Sequence, residues 1–391
     1  DYTIVNPRHL KPALREAVCE QCHLTGEIRI LCRSRSLYDF RPGLPLEQFW
    51  SIFLLTRGPG EEHKAVNHVE QMHLSRCFQR SPESKKLGCI SCHDPHVAVG
   101  PEQRVAHYRA KCLDCHKKQG CHLTLEARLH QNPQDNCIDC HMPRYPASDV
   151  SHAASTNHGI VRRATASAPA LSADASRQAP SLGLRPFYQA RLDLGDPERA
   201  RDLGIALSKM TFEGQADLLS YQQLSALVLL EQALRKYPED REALEAKGGM
   251  LMLQNRLPEA LAAFEAVLAR SPRRERSLAQ AARLAQALKQ LPTSRLYWQR
   301  AVAANPWMVD YRRNLAQLLA HQDAWDDFRP QWEAWMRLNP GDVEARGLWI
   351  KYLVARGRLE EAQSELTKLE SLRPAFLAEL KAWFSEQVRG R

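Results

Sequence analysis

Four copies of one five-residue pattern constrain this chain more than any other feature: Cys19-Glu20-Gln21-Cys22-His23, Cys89-Ile90-Ser91-Cys92-His93, Cys112-Leu113-Asp114-Cys115-His116 and Cys137-Ile138-Asp139-Cys140-His141. A Cys-x-x-Cys-His run is the attachment signature of a c-type haem. Its two thiols take up the porphyrin vinyl groups as thioethers, and the histidine binds the iron on one face. The competing chemistry is zinc. A zinc site pairs one Cys-x-x-Cys with another, or with a spaced pair of histidines, and does not require a histidine directly behind every pair. Repetition of the whole unit therefore favours four covalently attached haems, with Cys19, Cys22, Cys89, Cys92, Cys112, Cys115, Cys137 and Cys140 as anchors. His23, His93, His116 and His141 are then the proximal iron ligands.

The last three motifs begin 23 and 25 residues apart, and the first lies 70 residues ahead of the second. So little chain between cofactors cannot build a separate apolar core around each. The expectation is that the haems themselves form the core, packed against one another, with the first joining the row through space. The apolar run Phe49-Trp50-Ser51-Ile52-Phe53-Leu54-Leu55 is too short to span a membrane and is expected to pack on a haem face. Cys32, Cys77 and Cys121 lie outside the motifs. In an oxidising compartment two of them should pair; Cys77 with Cys121 is the expected bridge, leaving Cys32 as a buried thiol or an intermolecular link.

Each iron has a second axial position, and a histidine there makes a six-coordinate haem suited to electron transfer. Residues 1–163 hold ten histidines besides the proximal four. His96 follows a proximal ligand by three residues across Asp94-Pro95, on a stiff turn from which it can reach a neighbouring haem. His152 and His158 trail the last motif. His68 and His73 lie on an expected helix before the second motif but point to different faces, so one of the two is expected to bind iron.

The rest of the chain follows a different pattern. Residues 164–185 are rich in Ala, Ser and Pro and read as a linker. Beyond it, Pro238, Pro272, Pro306, Pro340 and Pro374 recur every 34 residues. Three further columns keep the step: Gly214, Gly248, Ala282, Ala316 and Ile350; Ala226, Ala260, Ser294, Phe328 and Ala362; Leu230, Phe264, Trp298, Trp332 and Leu366. This resembles the tetratricopeptide repeat, a helix-turn-helix unit of that length. Small residues let paired helices approach, aromatics fill the gap between units, and proline stops the second helix. About five units are expected over 207–376, with a capping helix at 377–391 and looser packing near Phe328 and Ile350. The fold class is mainly α: a haem-cored cytochrome domain with little regular structure (1–163), the linker (164–185) and an α-solenoid (186–391).

The formal net charge is +9. Ionised haem propionates would bring it to about +5 with ferric and about +1 with ferrous iron, so the basic excess is assigned to propionates rather than to nucleic acid. Haem is attached covalently outside the cytoplasm. An export signal has therefore been removed, or the numbering begins within a longer precursor.

Residues 1–163 resemble the multihaem cytochrome c superfamily that includes nitrite reductase and hydroxylamine oxidoreductase, in forms fused to tetratricopeptide repeats. The likeness rests on Ser75-Arg76-Cys77, on Gly88 to His96, on Cys137-Ile-Asp-Cys-His-Met-Pro-Arg144, and on His152 to His158. It implies distal ligand roles for His96, His152 and His158, with His68 fourth and His9 and His73 in reserve. No Cys-x-x-Cys-Lys motif is present, as a nitrite-reducing relative would have, and hydroxylamine-oxidising relatives carry more than four haems. The expected function is electron transfer by four bis-histidine haems outside the cytoplasmic membrane, as a periplasmic or extracellular protein and not as an enzyme. The partners would be redox proteins or identical subunits, the latter in a conductive filament. The alternatives are a reductase of small nitrogen or sulfur oxyanions, and a cytochrome docked to a complex through its repeats.

Overall fold

The structure is a computed structural model. It describes residues 5–55, 68–117, 120–146, 154–162, 183–188, 195–212 and 220–389. The chain divides into two compact units, Asp1–Ala233 and Leu234–Arg391.

In the first unit, helix α1 (Pro12–His23) starts on a proline whose missing N–H costs nothing in the first turn and ends on the first motif. Gly26, at φ +62°, turns the chain into strand β1 (Ile28–Leu31); a side chain there would meet the Phe53 carbonyl. Strand β2 (Trp50–Leu55) pairs antiparallel with β1, Ile28 opposite Phe53. Helices α2 (His68–Leu74) and α3 (Arg76–Arg80) precede the second motif, which forms the single turn α4 (Cys89–Cys92). Helix α5 (Arg104–His116) ends on the third motif, α6 (Leu125–Gln131) follows, and α7 (Cys137–His141) is the fourth. A two-stranded ribbon, β3 (Arg144–Pro146) with β4 (Ala154–Thr156), comes next. Strand β5 (Leu184–Pro186) then joins the other edge of β2, also antiparallel. Helices α8 (Pro197–Phe212) and α9 (Ser220–Lys236) complete the described elements here.

Two expectations change. The run Phe49–Leu55 does not wait for a cofactor: it supplies the middle strand β2, and Phe49 and Ile52 are buried with Ala17, Leu24, Phe40, Leu46 and Val69, flanked by Phe187 and Tyr188. Secondly, the linker expected to end at 185 overlaps β5, and the first helix beyond it belongs to this unit. Arg201 of α8 donates to the Leu31 carbonyl at 3.0 Å and to Asp202 at 2.7 Å, while Ser51 donates to Asp202 at 2.5 Å. Most of the linker, residues 164–182, lies outside the described residues.

The second unit holds, among the described residues, four helix pairs: α10 (Arg241–Leu253) with α11 (Leu257–Arg270), α12 (Glu275–Ala287) with α13 (Leu291–Ala304), α14 (Val309–His321) with α15 (Trp325–Leu338), and α16 (Val343–Ala355) with α17 (Leu359–Leu372). Helix α18 (Leu377–Arg389) caps them. Pro272, Pro306, Pro340 and Pro374 each fall just after the second helix of a pair, and Pro238 falls just after α9. Gly248 lies against Phe264 so closely that a Cβ would meet its ring at 2.8 Å. Ser294 reaches back to the Ala282 carbonyl at 2.9 Å, and Trp298 is wholly buried. Phe328 and Ile350, where looser packing was expected, are wholly buried too. Phe328 packs edge-on against Trp325 at 5.5 Å and tilted against Tyr352 at 5.9 Å. The expected first repeat differs: α8 begins at Pro197 rather than near 207, and Gly214 lies outside the described residues.

Candidate haem sites

The motif thiols leave their helices one turn apart (i, i+3), the spacing that sets two side chains on one helical face. All eleven cysteines are free. The expected Cys77–Cys121 bridge is not formed. Cys77 on α3 interacts electrostatically with Cys92 and Cys115, whereas Cys121, exposed ahead of α6, does so with Cys140. Cys32 is a half-buried thiol near the Glu47 carbonyl (3.8 Å) and Ser51 Oγ (3.9 Å), pushed up to about 11 by burial.

The motifs come together in two pairs. The first meets the second: Cys19 and Cys89 interact electrostatically, and Glu16, buried on α1, accepts the Cys89 N–H at 2.8 Å and the Arg15 Nε–H at 2.9 Å. Gly88 makes this approach possible, because a side chain there would overlap the Glu16 carboxylate. The third meets the fourth: Cys112 and Cys137 interact electrostatically, and buried Asp135 ties Arg109 of α5 (2.6 Å) to Arg128 of α6 (3.2 Å) just ahead of α7. Glu16 and Asp135 are motif-joining residues that the sequence alone did not single out. The only signal was their charge next to a motif in an otherwise ordinary helical or turn context.

Four imidazoles gather near the first pair. The His158 ring lies 4.6 Å from that of His68 and 6.3 Å from that of His93, and the three interact electrostatically with His23. Partial burial lowers His68 and His93 below the usual imidazole range. Deeper burial takes His158 down to about 4, so that ring is neutral at pH 7. His158 Nδ1–H donates to the Thr156 carbonyl at 2.8 Å, which leaves the Nε2 lone pair for a metal. His141 is oriented alike, its Nδ1–H donating to the Val161 carbonyl at 2.8 Å. The Tyr108 phenol oxygen lies 3.4 Å from His93 Nδ1, a long contact in which either group can donate.

The remaining candidates are placed differently. His73 points away from His68, as the helical spacing requires. It stacks on Phe78 at 4.1 Å with Nε2 3.7 Å from Glu20, and burial takes it to about 4. His96 is exposed on its turn, where its N–H donates to Asp94 at 3.0 Å, and His9 and His116 are exposed. His152 lies outside the described residues.

These residues fit covalent haem. No motif thiol is tied up in a disulfide, and His23, His93 and His116 stand at helix ends with exposed surface rather than in a protein core. Among the described residues of 76–141, which carry three motifs, no apolar side chain is buried, while Val97, Leu113, Leu125 and Leu129 are exposed. Helices without an apolar core are not held by protein packing alone. A flat, apolar, covalently held porphyrin would supply the missing surface.

Comparison with known proteins supports both parts of the chain. Residues 82–121 match the doubled CXXCH motif family, and residues 225–275 match the tetratricopeptide repeat. No curated protein matches. Among solved structures the chain is similar to the tetratricopeptide protein YrrB (19% identity, TM-score 0.42, covering 49% of this chain and 93% of that one). It is also similar to a tetratricopeptide repeat protein from Parabacteroides merdae (19%, 0.42, 49% and 74%) and to MamA (16%, 0.39, 44% and 89%). The chain is a multihaem c-type cytochrome joined to tetratricopeptide repeats. Among the described residues no helix is long and apolar enough to cross a membrane.

Proposed function

We propose that the protein is an electron carrier holding four haems, one on each Cys-x-x-Cys-His motif, with His23, His93, His116 and His141 as proximal ligands. The haem half works outside the cytoplasmic membrane, where such haems are attached. The carrying observation is the coreless stretch 76–141, in which three motifs crowd together with nothing apolar buried between them among the described residues. Porphyrins that replace a protein core must lie close to one another. Close porphyrin edges pass electrons, and imidazoles on both iron faces keep the reorganisation on electron transfer small. The motif pairs joined through Glu16 and through Asp135 make two such contacts, and α3, α4 and α5 place the second motif beside the third.

The repeats then serve as the docking surface for a redox partner, as such repeats commonly do. A groove of about 370 Å³ on the second unit is lined by Gln317, Leu348, Lys351, Phe376, Leu380 and Trp383. A pyridine haemochrome assay should count four haems per chain. Electron paramagnetic resonance should show low-spin ferric iron that does not respond to cyanide or nitrite. A cyanide-reactive high-spin haem in the native protein would replace this reading with the reductase one.

A further inference from the structure

The His158 ring stands where a second axial ligand of the second motif's haem would stand. Metal–imidazole bonds of about 2 Å put two ligand rings on opposite sides of one ion with their centres about 6 Å apart. The His93 and His158 rings are 6.3 Å apart and tilted by 31°. His68, at 4.6 Å from His158 and nearly perpendicular to it, is too close and wrongly turned to share an ion with it. The tautomer of His158 is set for ligation, its Nδ1–H being used by the Thr156 carbonyl.

What seats His158 is a glutamine from far away in sequence. Gln71 of α2, 8% exposed, accepts the His158 backbone N–H on Oε1 at 2.8 Å, across 87 residues. The next turn is closed by Asn157, whose Oδ1 accepts the Gly159 N–H at 2.7 Å. Gln71 is one helical turn from His68, and the neighbouring Glu70 pairs with Arg185 of β5 at 3.0 Å, anchoring α2 to the sheet. One rigid helix therefore carries His68 and locates His158. A mere packing residue in this place would be apolar, as its neighbours Val69 and Met72 are.

We propose that His93 and His158 are the axial pair of the haem held by Cys89 and Cys92, and that Gln71 is the positioning residue that seats His158. The inference rests on the tetrahaem reading above and adds to it which imidazoles share an iron.

The test uses the full-length, haem-loaded protein and the variants His158→Ala, His158→Met, Gln71→Leu and Gln71→Glu, each with its haem count. His158→Ala should keep the wild-type haem count while about a quarter of the ferric signal moves from low to high spin and becomes cyanide-reactive. His158→Met should restore six-coordination with a raised midpoint potential for that one haem, since a thioether ligand favours the ferrous state. Gln71→Leu should show a partial shift of the same haem to high spin. Gln71→Glu, which keeps an acceptor for the His158 N–H, should match the wild type in spin state. Wholly low-spin His158→Ala protein at full haem count overturns the pairing. Gln71→Leu protein identical to wild type in spin state and potential overturns the positioning role. Fewer than four haems in the wild type overturns the tetrahaem reading instead, so the two failures are distinguishable.

Discussion

Replacing Asp202 by alanine should be among the most damaging single changes in the first unit. Arg201 and Asp202 are each 2% exposed. The carboxylate takes hydrogen bonds from Arg201 at 2.7 Å and from Ser51 at 2.5 Å, and so ties α8 to β2. Burial pushes the Asp202 carboxyl upward, and the Arg201 guanidinium opposes that rise, the signature of a charge held in the interior by its partner. Removing one member of such a pair strands the other and costs about 3–5 kcal/mol. Arg201 retains its bond to the Leu31 carbonyl, which puts the expected loss at the lower end, about 3 kcal/mol. Asp202→Asn keeps an acceptor but not the charge and should lose about 1.5–2 kcal/mol. Urea unfolding of the haem-loaded protein, followed in the Soret region, should show the Asp202→Ala midpoint falling by about 1.5 M for a slope near 2 kcal/mol/M. The double variant Arg201→Met/Asp202→Ala should lose less than the sum of the two singles. A loss below about 1 kcal/mol for Asp202→Ala, or strict additivity in the cycle, would refute the claim that this pair fastens α8 to the sheet.

Asp135→Ala should destabilise the region of the third and fourth motifs by about 1–3 kcal/mol, between the values for exposed and for buried ion pairs, and protease cleavage within 104–141 should quicken. Burial lifts Glu20 to about 7 against an ordinary 4.5. The folded state therefore binds this proton more tightly than the unfolded one, and the group's stabilising contribution, complete below pH 4.5, is lost as pH rises through 7. Glu20→Gln, still an acceptor for the Tyr188 hydroxyl at 2.8 Å, should flatten that fall, by up to about 3 kcal/mol at pH 8; equal pH slopes in melting experiments would refute it. Gly248→Val should force its new methyl groups against Phe264 and cost about 1–3 kcal/mol, read as a lower thermal midpoint of the second unit with haem spectra unchanged.

Much of the molecule is legible in the order of its amino acids. The 34-residue columns are packing rules written along one chain: a glycine or alanine where two helices touch, an aromatic between pairs, a proline after the second helix. Their consequences, from Gly248 under Phe264 to Ser294 on the Ala282 carbonyl, are local and repeat. The motifs are equally plain, since a Cys-x-x-Cys-His unit carries its chemistry within five residues. Less is legible at the junctions. That Phe49–Leu55 forms a central strand requires β1 on one side and β5 on the other, the latter about 130 residues later in the chain. The absence of a Cys77–Cys121 bridge depends on where α3 and the turn at Cys121 point.

What the sequence determined by itself is the cofactor chemistry and the repeat, because both are encoded by short-range spacing that any folded context must respect. Only the tertiary structure decided which motifs adjoin, that Glu16 and Asp135 join them, that α8 is tied to β2 through Asp202 and Ser51, and that His158 lies beside His93 with its tautomer set. Those are contacts between residues dozens of positions apart. Their free energy comes from burial and desolvation in the assembled unit, and no local pattern announces it.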